Sequence, residues 1–385
     1  MRTIGLVTVA RSDYGIYMPI LRRIQADPEL SLHLIVSGMH LSPEFGLTVR
    51  VIESDGFPIG ERVEMLLSSD SPEGIAKSIG MGTIGFAQAF GRFRPDILIV
   101  LGDRFEMYAA AVAALPFRIP VAHIHGGEIT LGAIDDALRH SMTKLSHLHF
   151  VSNVEYARRV KQMGEEPWRV IISGAPSLDN LKSIKLLTIK EIEDNHKICL
   201  TPPPLLVTYH PVTLENEQTE LQMNEFLAAL TDAALPVVFT LPNADTNSRI
   251  IFRMIREYVR THAFSYLVEN FGSQGYFSLM AHCVAMVGNS SSGLIEAPSF
   301  ALPVVNVGTR QRGRVRSANV IDVNYDHAEI LAGIRRAVQP GFRETLRQLK
   351  NPYGSGQASE IIIERIKTVP LDDRLLIKQF CDFET

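Results

Sequence analysis

The sequence predicts an α/β protein built as two Rossmann-like domains with a central cleft. Three observations carry that expectation. Short β-branched runs alternate with helix-length stretches, the alternation breaks once at a polar, proline-marked segment, and then it restarts. At 385 residues the chain is also longer than one ordinary core accommodates.

In the first half TIGLVTV (3–9), LHLIVS (32–37), DILIVL (96–101), PVAHIH (120–125) and LHFVS (148–152) read as parallel strands buried on both faces. Helices are expected between them, including 104–115 and 134–145. The pattern stops around 181–203, a charged stretch ending in TPPP (201–204). It resumes with PLLVTY (204–209), LPVVFTL (235–241), CVAMVG (283–288) and LPVVNVG (302–308). The expected domains are therefore 1–180 and 204–366, joined by a linker at 181–203 and followed by a tail at 367–385. Residues 355–368 read as one amphipathic helix.

Bulk properties narrow the partners. With 38 basic against 42 acidic residues the net charge is −4, so no global field draws the chain to nucleic acid or an anionic membrane. Any anion site must be local. Cys199, Cys283 and Cys381 are far apart and form no CxxC pair, which argues against disulfide frameworks and thiolate metal clusters and fits a reducing cytoplasm. No uncharged apolar stretch approaches the roughly 20 residues of a membrane helix. MRTIGLVTVAR at the start lacks the features of a signal peptide. A cytoplasmic location is expected.

Ligands of such sheets sit beyond the carboxyl ends of the strands. The segments found there are ARSDYG (10–15), SGMH (37–40), GDRFE (102–106), HIHGGE (123–128), YHPVT (209–213), LPNADT (241–246), GNSSSG (288–293) and VGTRQRGR (307–314). GNSSSG leads into LIEAPSF, read as a helix start, where backbone N–H groups, hydroxyls and the helix dipole suit an anion. An ordinary serine cap is the plainer reading. Glu296, seven residues past Asn289, is placed to accept hydrogen bonds from a ribose diol. Of the alternating Arg310, Arg312, Arg314 and Arg316, the first suits a diphosphate, and the others read as surface.

Arg11 and Asp13 follow the first strand, with Ser12 or Asp13 as a helix cap; GxGxxG and the Walker pair are absent. Asp103 suits a general base, or else caps the helix expected from 104. AIDDALRH (133–140) puts Asp136 and Arg139 or His140 on one helical face, by default a solvated one, and Glu128, Asp135 and Asp136 are candidates for one carboxylate group. His123 and His125, two apart on a strand, share a face by alternation.

In order, RSDYGIY, SGMHLSPEFG, LGDRFE, AHIHGGEITLGAIDDALRHSMTKLSHLHF, YHPVT, PNADTNS, VGNSSSGLIEAPSF and NVGTRQRGR resemble the hydrolysing UDP-N-acetylglucosamine 2-epimerases over nearly the whole chain. The resemblance implies a glycosyltransferase-B-like fold and no cofactor or metal. It also implies a homo-oligomer, dimer or tetramer. The implied reaction removes the C2 proton while UDP leaves C1, giving a 2-acetamidoglucal; water then adds at C1 and a proton returns to C2 on the opposite face. N-acetylmannosamine and UDP result, for sialic-acid-type sugars. The alternative substrate is the 2,4-diacetamido-2,4,6-trideoxy UDP-sugar that leads to legionaminic acid.

The resemblance assigns Asp103, His125, Glu128, Asp135 and Asp136 to sugar chemistry. It assigns Arg11, His40, Arg104, His210, Asn243, Ser290, Ser291, Glu296 and Arg310 to substrate and UDP binding. Many relatives carry a glutamate where this chain has His125, so imidazole stands in for it here. Ile16 replaces the lysine of the non-hydrolysing branch. A UDP-sugar glycosyltransferase is the competitor on fold. A metal hydrolase built on His123 and His125 lacks further ligands, and a non-catalytic nucleotide-binding regulator leaves the sugar-side acids without a task.

Overall fold

The computed structural model describes residues 1–67, 71–131, 134–241, 248–269 and 271–382. The chain divides into two compact units. The first comprises Met1–Glu128, Ile134–Lys182 and Tyr353–Thr385; the second comprises Ile129–Ala133 and Ser183–Pro352.

In the first unit the strands are β1 (Arg2–Thr8), β2 (Leu30–Ser37), β3 (Ile59–Val63), β4 (Ile97–Leu101), β5 (Val121–Ile124), β6 (Leu148–Val151) and β7 (Val170–Ile172). They pair in parallel in the order β3-β2-β1-β4-β5-β6-β7. β4, ILIVL, is buried at every residue, because helices cover both faces of a parallel sheet. The strand order reverses between β1 and β4, so the loops after these two strands flank the switch point where ligands of such sheets bind.

The second unit repeats the plan with β8 (Leu205–Thr208), β9 (Val237–Thr240), β10 (Ser265–Val268), β11 (Ala285–Gly288), β12 (Val304–Val307) and β13 (Val320–Val323). Their order is β10-β9-β8-β11-β12-β13, again all parallel, with the reversal between β8 and β11. The α/β class and the doubling of the Rossmann-like pattern are both as the sequence predicts.

The boundaries differ from expectation at Ile129–Ala133, which falls in the second unit although it lies within the expected 1–180 domain, and at two further places. The expected linker holds the helix Ile189–His196, started by a reciprocal capping box in which Glu191 N donates to Thr188 Oγ1 (3.3 Å) and Thr188 N to Glu191 Oε2 (2.7 Å). The helix buries Ile192 and clusters with the second unit. The carboxy-terminal helix Ala358–Thr368 belongs to the first unit rather than to 204–366, because Ile362, Ile363 and Ile366 complete that unit's core. Its first amides, Ala358 N and Ser359 N, donate to the Asp179 carboxylate at 2.9 and 2.6 Å. Beyond it, buried Arg169 donates to the carbonyls of Arg374, Leu375 and Ile377, fastening the tail. Among the described residues no helix is long and apolar enough to cross a membrane.

Candidate active site

In the first unit, the polar groups past β4 and β5 gather around one buried arginine. β5 ends at Ile124, and His125 turns out of the strand with φ of +64°, a backbone that β-branched residues avoid and histidine tolerates. Its amide still donates to Phe150 O (3.0 Å), which ties the turn to β6. Gly127 follows with φ of +76°, and a Cβ there would lie 2.5 Å from Tyr156 O. Only glycine fits, and the turn brings Glu128 back toward His125.

His125 Nδ1 and Glu128 Oε1 are 2.6 Å apart, and Ser152 Oγ lies 3.1 Å from the same nitrogen and donates to the same carboxylate oxygen at 3.2 Å. Both members are buried. A ring that donates Nδ1–H to the carboxylate has Nε2 as its other, proton-exchanging nitrogen. Arg139 Nη1 donates to His125 O (2.8 Å) and lies 4.0 Å from Glu128 Oε2, while Nη2 pairs with Asp103. One guanidinium thus holds the backbone of the histidine and an acid from each neighbouring loop. Asp103 is the more open of these groups, its side chain 21% exposed.

Several expectations change here. Arg139 is buried, not part of a solvated face. Asp103 does not cap the following helix, Phe105–Ala114, whose N-cap is Arg104. Strand alternation does not relate the two histidines, because His125 lies past the strand. His123 Nε2 donates to Gly102 O (2.8 Å), and its other nitrogen is 3.4 Å from Thr143 Oγ1. Burial pushes its pKa down to about 3, so it stays a neutral, packed ring. Among the described residues no three His, Cys, Asp or Glu side chains gather as metal ligands.

Asp135 and Asp136 occupy the first turn of the helix Ile134–Leu145, where acidic groups suit the dipole. Asp135 precedes Arg139 by four residues on one helical face, and Asp136 pairs with His140 at 3.6 Å.

Around β1 and β4, Arg11 opens the helix Arg11–Ala26 and is exposed. The N-cap is Ala10, not Ser12 or Asp13. Asp13 instead reaches back from the first turn to Val9 N (2.9 Å), Ala10 N (3.0 Å) and Thr8 Oγ1 (2.9 Å). His40 is buried, its Nε2 3.0 Å from Thr8 Oγ1 and its Nδ1 2.7 Å from Thr48 Oγ1. Arg104 makes a two-point contact with fully buried Glu106, at 3.1 and 3.2 Å.

In the second unit the site is built on backbone. Gly288 ends β11 with φ of +135°, and a Cβ there would sit 2.0 Å from Thr208 O. That close approach lets Asn289 reach the loop after β8: its Oδ1 accepts from His210 N (2.7 Å) and its Nδ2 donates to His210 O (2.8 Å). From the loop after β12, Arg310 Nη1 (3.2 Å) and Gln311 Nε2 (2.7 Å) both donate to Asn289 O. The switch-point loops and the arginine are thus one interlocked piece. Burial, reinforced by the charge of Arg310, holds the His210 pKa well below its ordinary value.

The helix expected after GNSSSG is only Ser292–Ile295, ended by Pro298 two residues beyond Glu296. Four residues supply little dipole, so the donors left at this loop are its amides and the hydroxyls of Ser290 and Ser291. Ser290 Oγ accepts from Ser292 N (3.3 Å), and Glu296 is buried at the end of this turn. Arg312 is exposed as expected, whereas Arg314 is half-buried and donates to Ile129 O (3.0 Å) within the same unit. Asn243 lies outside the described residues.

Sequence reasoning did not single out Ser152, Asn289 or Gln311, nor Arg139 as a buried partner. Ser152 was hidden by extending its strand one residue too far; Arg139 carried a signal in its four-residue spacing from Asp135.

Two doubly wound parallel units with polar loops at their switch points define the glycosyltransferase-B-like class of α/β proteins. Within it, the model for the UDP-N-acetylglucosamine 2-epimerase family matches residues 22–367, and the chain belongs to that family. It is 41% identical over 323 residues to the Campylobacter jejuni GDP/UDP-N,N′-diacetylbacillosamine 2-epimerase (hydrolyzing), covering 83% of this chain and 84% of that one. It is 37% identical over 379 residues to the Legionella pneumophila UDP-N,N′-diacetylbacillosamine 2-epimerase (hydrolyzing), covering 98% and 99%. Its fold is that of the Neisseria meningitidis UDP-GlcNAc 2-epimerase crystallised with UDP-GlcNAc, at a TM-score of 0.82 and 20% identity, covering 95% of this chain and 99% of that one.

Proposed function

We propose that this hydrolysing 2-epimerase acts on UDP-N,N′-diacetylbacillosamine, releasing UDP and the 2,4-diacetamido-2,4,6-trideoxy sugar of manno configuration. The substrate assignment leans on the two relatives above, one of them aligned over 98% of the chain. UDP-N-acetylglucosamine is the second reading, favoured by the family's own description.

The observation that carries the chemistry is the His125–Glu128 pair held by Arg139. A C2–H is barely acidic, so its removal calls for a base whose protonated form is stabilised; Glu128 does that for His125 as imidazolium develops. Asp103, with Asp135 and Asp136 near the same arginine in sequence, supplies the complementary proton transfer as water adds at C1. His210, Ser290, Ser291, Arg310 and exposed Arg11 serve the departing diphosphate, whose growing charge calls for fixed donors. Glu296 serves the ribose. Arg104 and His40 brace the loops of the sugar side. The assembly that goes with this reading is a homo-oligomer, dimer or tetramer.

The test is turnover of both UDP-sugars in D₂O, followed by NMR. Free manno-configured sugar carrying one deuterium at C2, with kcat/KM highest for the diacetamido substrate, is the expected result. A higher kcat/KM for UDP-N-acetylglucosamine would reverse the substrate assignment. Accumulation of an epimerised UDP-sugar without UDP release would overturn the hydrolytic reading.

A further inference from the structure

Behind the second unit's loops lies a polar relay that the reaction chemistry does not use. Glu215, in the turn Thr213–Gln218, accepts from Thr309 Oγ1 at 2.6 Å and from Gln222 Nε2 at 2.9 Å. Gln222 Oε1 in turn accepts from the hydroxyl of buried Tyr209 at 3.4 Å. On the other side, the Tyr325 hydroxyl accepts from Thr309 N (3.1 Å) and lies 3.2 Å from Thr309 Oγ1. Its ring covers Gly308, which has φ of +78° and where a Cβ would meet the ring at 2.1 Å.

The relay grips the two residues that immediately precede the diphosphate candidates. Tyr209 comes before His210, and Thr309 comes before Arg310. Thr309 is held at its amide by Tyr325 and at its hydroxyl by Glu215, so its backbone has little freedom to rotate. A guanidinium on the next residue inherits that fixed origin. Burial alone would raise the proton affinity of Glu215, but hydrogen bonds from Thr309, Tyr325 and Gln222 and the charge of Arg312 outweigh it, keeping the carboxylate ionised.

We infer that Glu215 is a positioning residue for diphosphate binding, orienting Arg310 through Thr309 without touching the ligand. This rests on the reading that Arg310 binds the diphosphate, and the test separates the two. UDP and uridine affinities are measured by calorimetry on the full chain for Glu215→Ala, Arg310→Ala and the double variant. Thr309→Val provides a second way of cutting the relay.

Expected is an about tenfold weaker UDP affinity in Glu215→Ala, the scale of one lost hydrogen bond to a charged group, with uridine affinity unchanged. Thr309→Val reproduces it, and in the Arg310→Ala background Glu215→Ala adds nothing, because the two act as one unit. Wild-type UDP affinity in both Glu215→Ala and Thr309→Val would overturn the inference alone, provided Arg310→Ala weakens UDP. Equal losses for UDP and uridine, or full additivity with Arg310→Ala, would also overturn it by marking a general loosening. Unchanged UDP affinity in Arg310→Ala would overturn the diphosphate reading, and this inference with it.

Discussion

Arg139→Met is the perturbation that separates placement from packing in the first unit. The guanidinium donates to His125 O at 2.8 Å, pairs with Asp103 and stands 4.0 Å from Glu128, with its side chain only 3% exposed. Methionine fills most of the volume but removes the charge that these carboxylates share. Breaking a buried pair by deleting one partner costs about 3–5 kcal/mol. Asp103 is partly open to water, which puts the expected loss near the lower figure. At about 2–4 °C per kcal/mol for a unit of this size, the melting transition falls by roughly 6–12 °C. Turnover falls further, by about 100-fold at a temperature where the variant is folded, because both His125 and Asp103 lose their fixed orientation. The variant Asp103→Asn/Arg139→Met removes both members of the closer ion pair but leaves buried Glu128 without the guanidinium; it is expected to regain part of the melting temperature and none of the turnover. Calorimetric melts and initial rates of UDP release read both quantities. Near-normal turnover in folded Arg139→Met, or recovery of turnover along with stability in the double variant, would refute the reasoning.

Three further outcomes follow from the buried histidines. His125→Asn, whose backbone tolerates the left-handed turn, is expected to lower kcat by about 100-fold or more with a small change in melting temperature. His123→Ala is expected to do the reverse, losing about 2–4 kcal/mol of stability to the cavity and the orphaned Gly102 carbonyl, as read by chemical denaturation; equal effects on both observables in both variants would contradict the division of roles. Burial lowers the pKa of His123 to about 3 and of His147 to about 4, below the value of about 6.5 in an unfolded chain. The unfolded state therefore takes up more protons as pH falls, so this stabilisation is complete above about pH 6.5 and is lost progressively toward pH 3–4. Each ring costs about 2 kcal/mol by pH 5, and urea midpoints that stay level from pH 7.5 to 5 would count against both being held neutral.

The strands legible in the sequence and those missed differ in one physical respect. The nine runs read from the sequence became β1, β2, β4, β5 and β6 of the first sheet and β8, β9, β11 and β12 of the second, all internal. The four missed, β3, β7, β10 and β13, are the sheet edges. An internal parallel strand is covered on both faces and becomes an unbroken apolar run, whereas an edge strand such as IGERV keeps one side toward water and loses the signature.

The site shows the same division. The loops were found because position after a strand is a one-dimensional property. The partnership of Arg139 with Asp103, 36 residues away, is not, and its helical spacing looked the same as that of a solvated ion pair. Likewise the left-handed turn at His125 replaces strand alternation where the chain must swing Glu128 back, and no local propensity announces it.

The return of Tyr353–Thr385 to the first unit makes the second unit an insertion in the chain's order of synthesis. The first sheet's strands leave the ribosome before any strand of the second, yet Ile362, Ile363, Ile366, Val369 and Leu375 of their core emerge only after the second sheet's last strand. The amino-terminal unit therefore completes its core last, after the whole of the second sheet has been exposed to solvent and had time to close. A chain arrested near residue 352 carries its unburied apolar surface in the half that was made first.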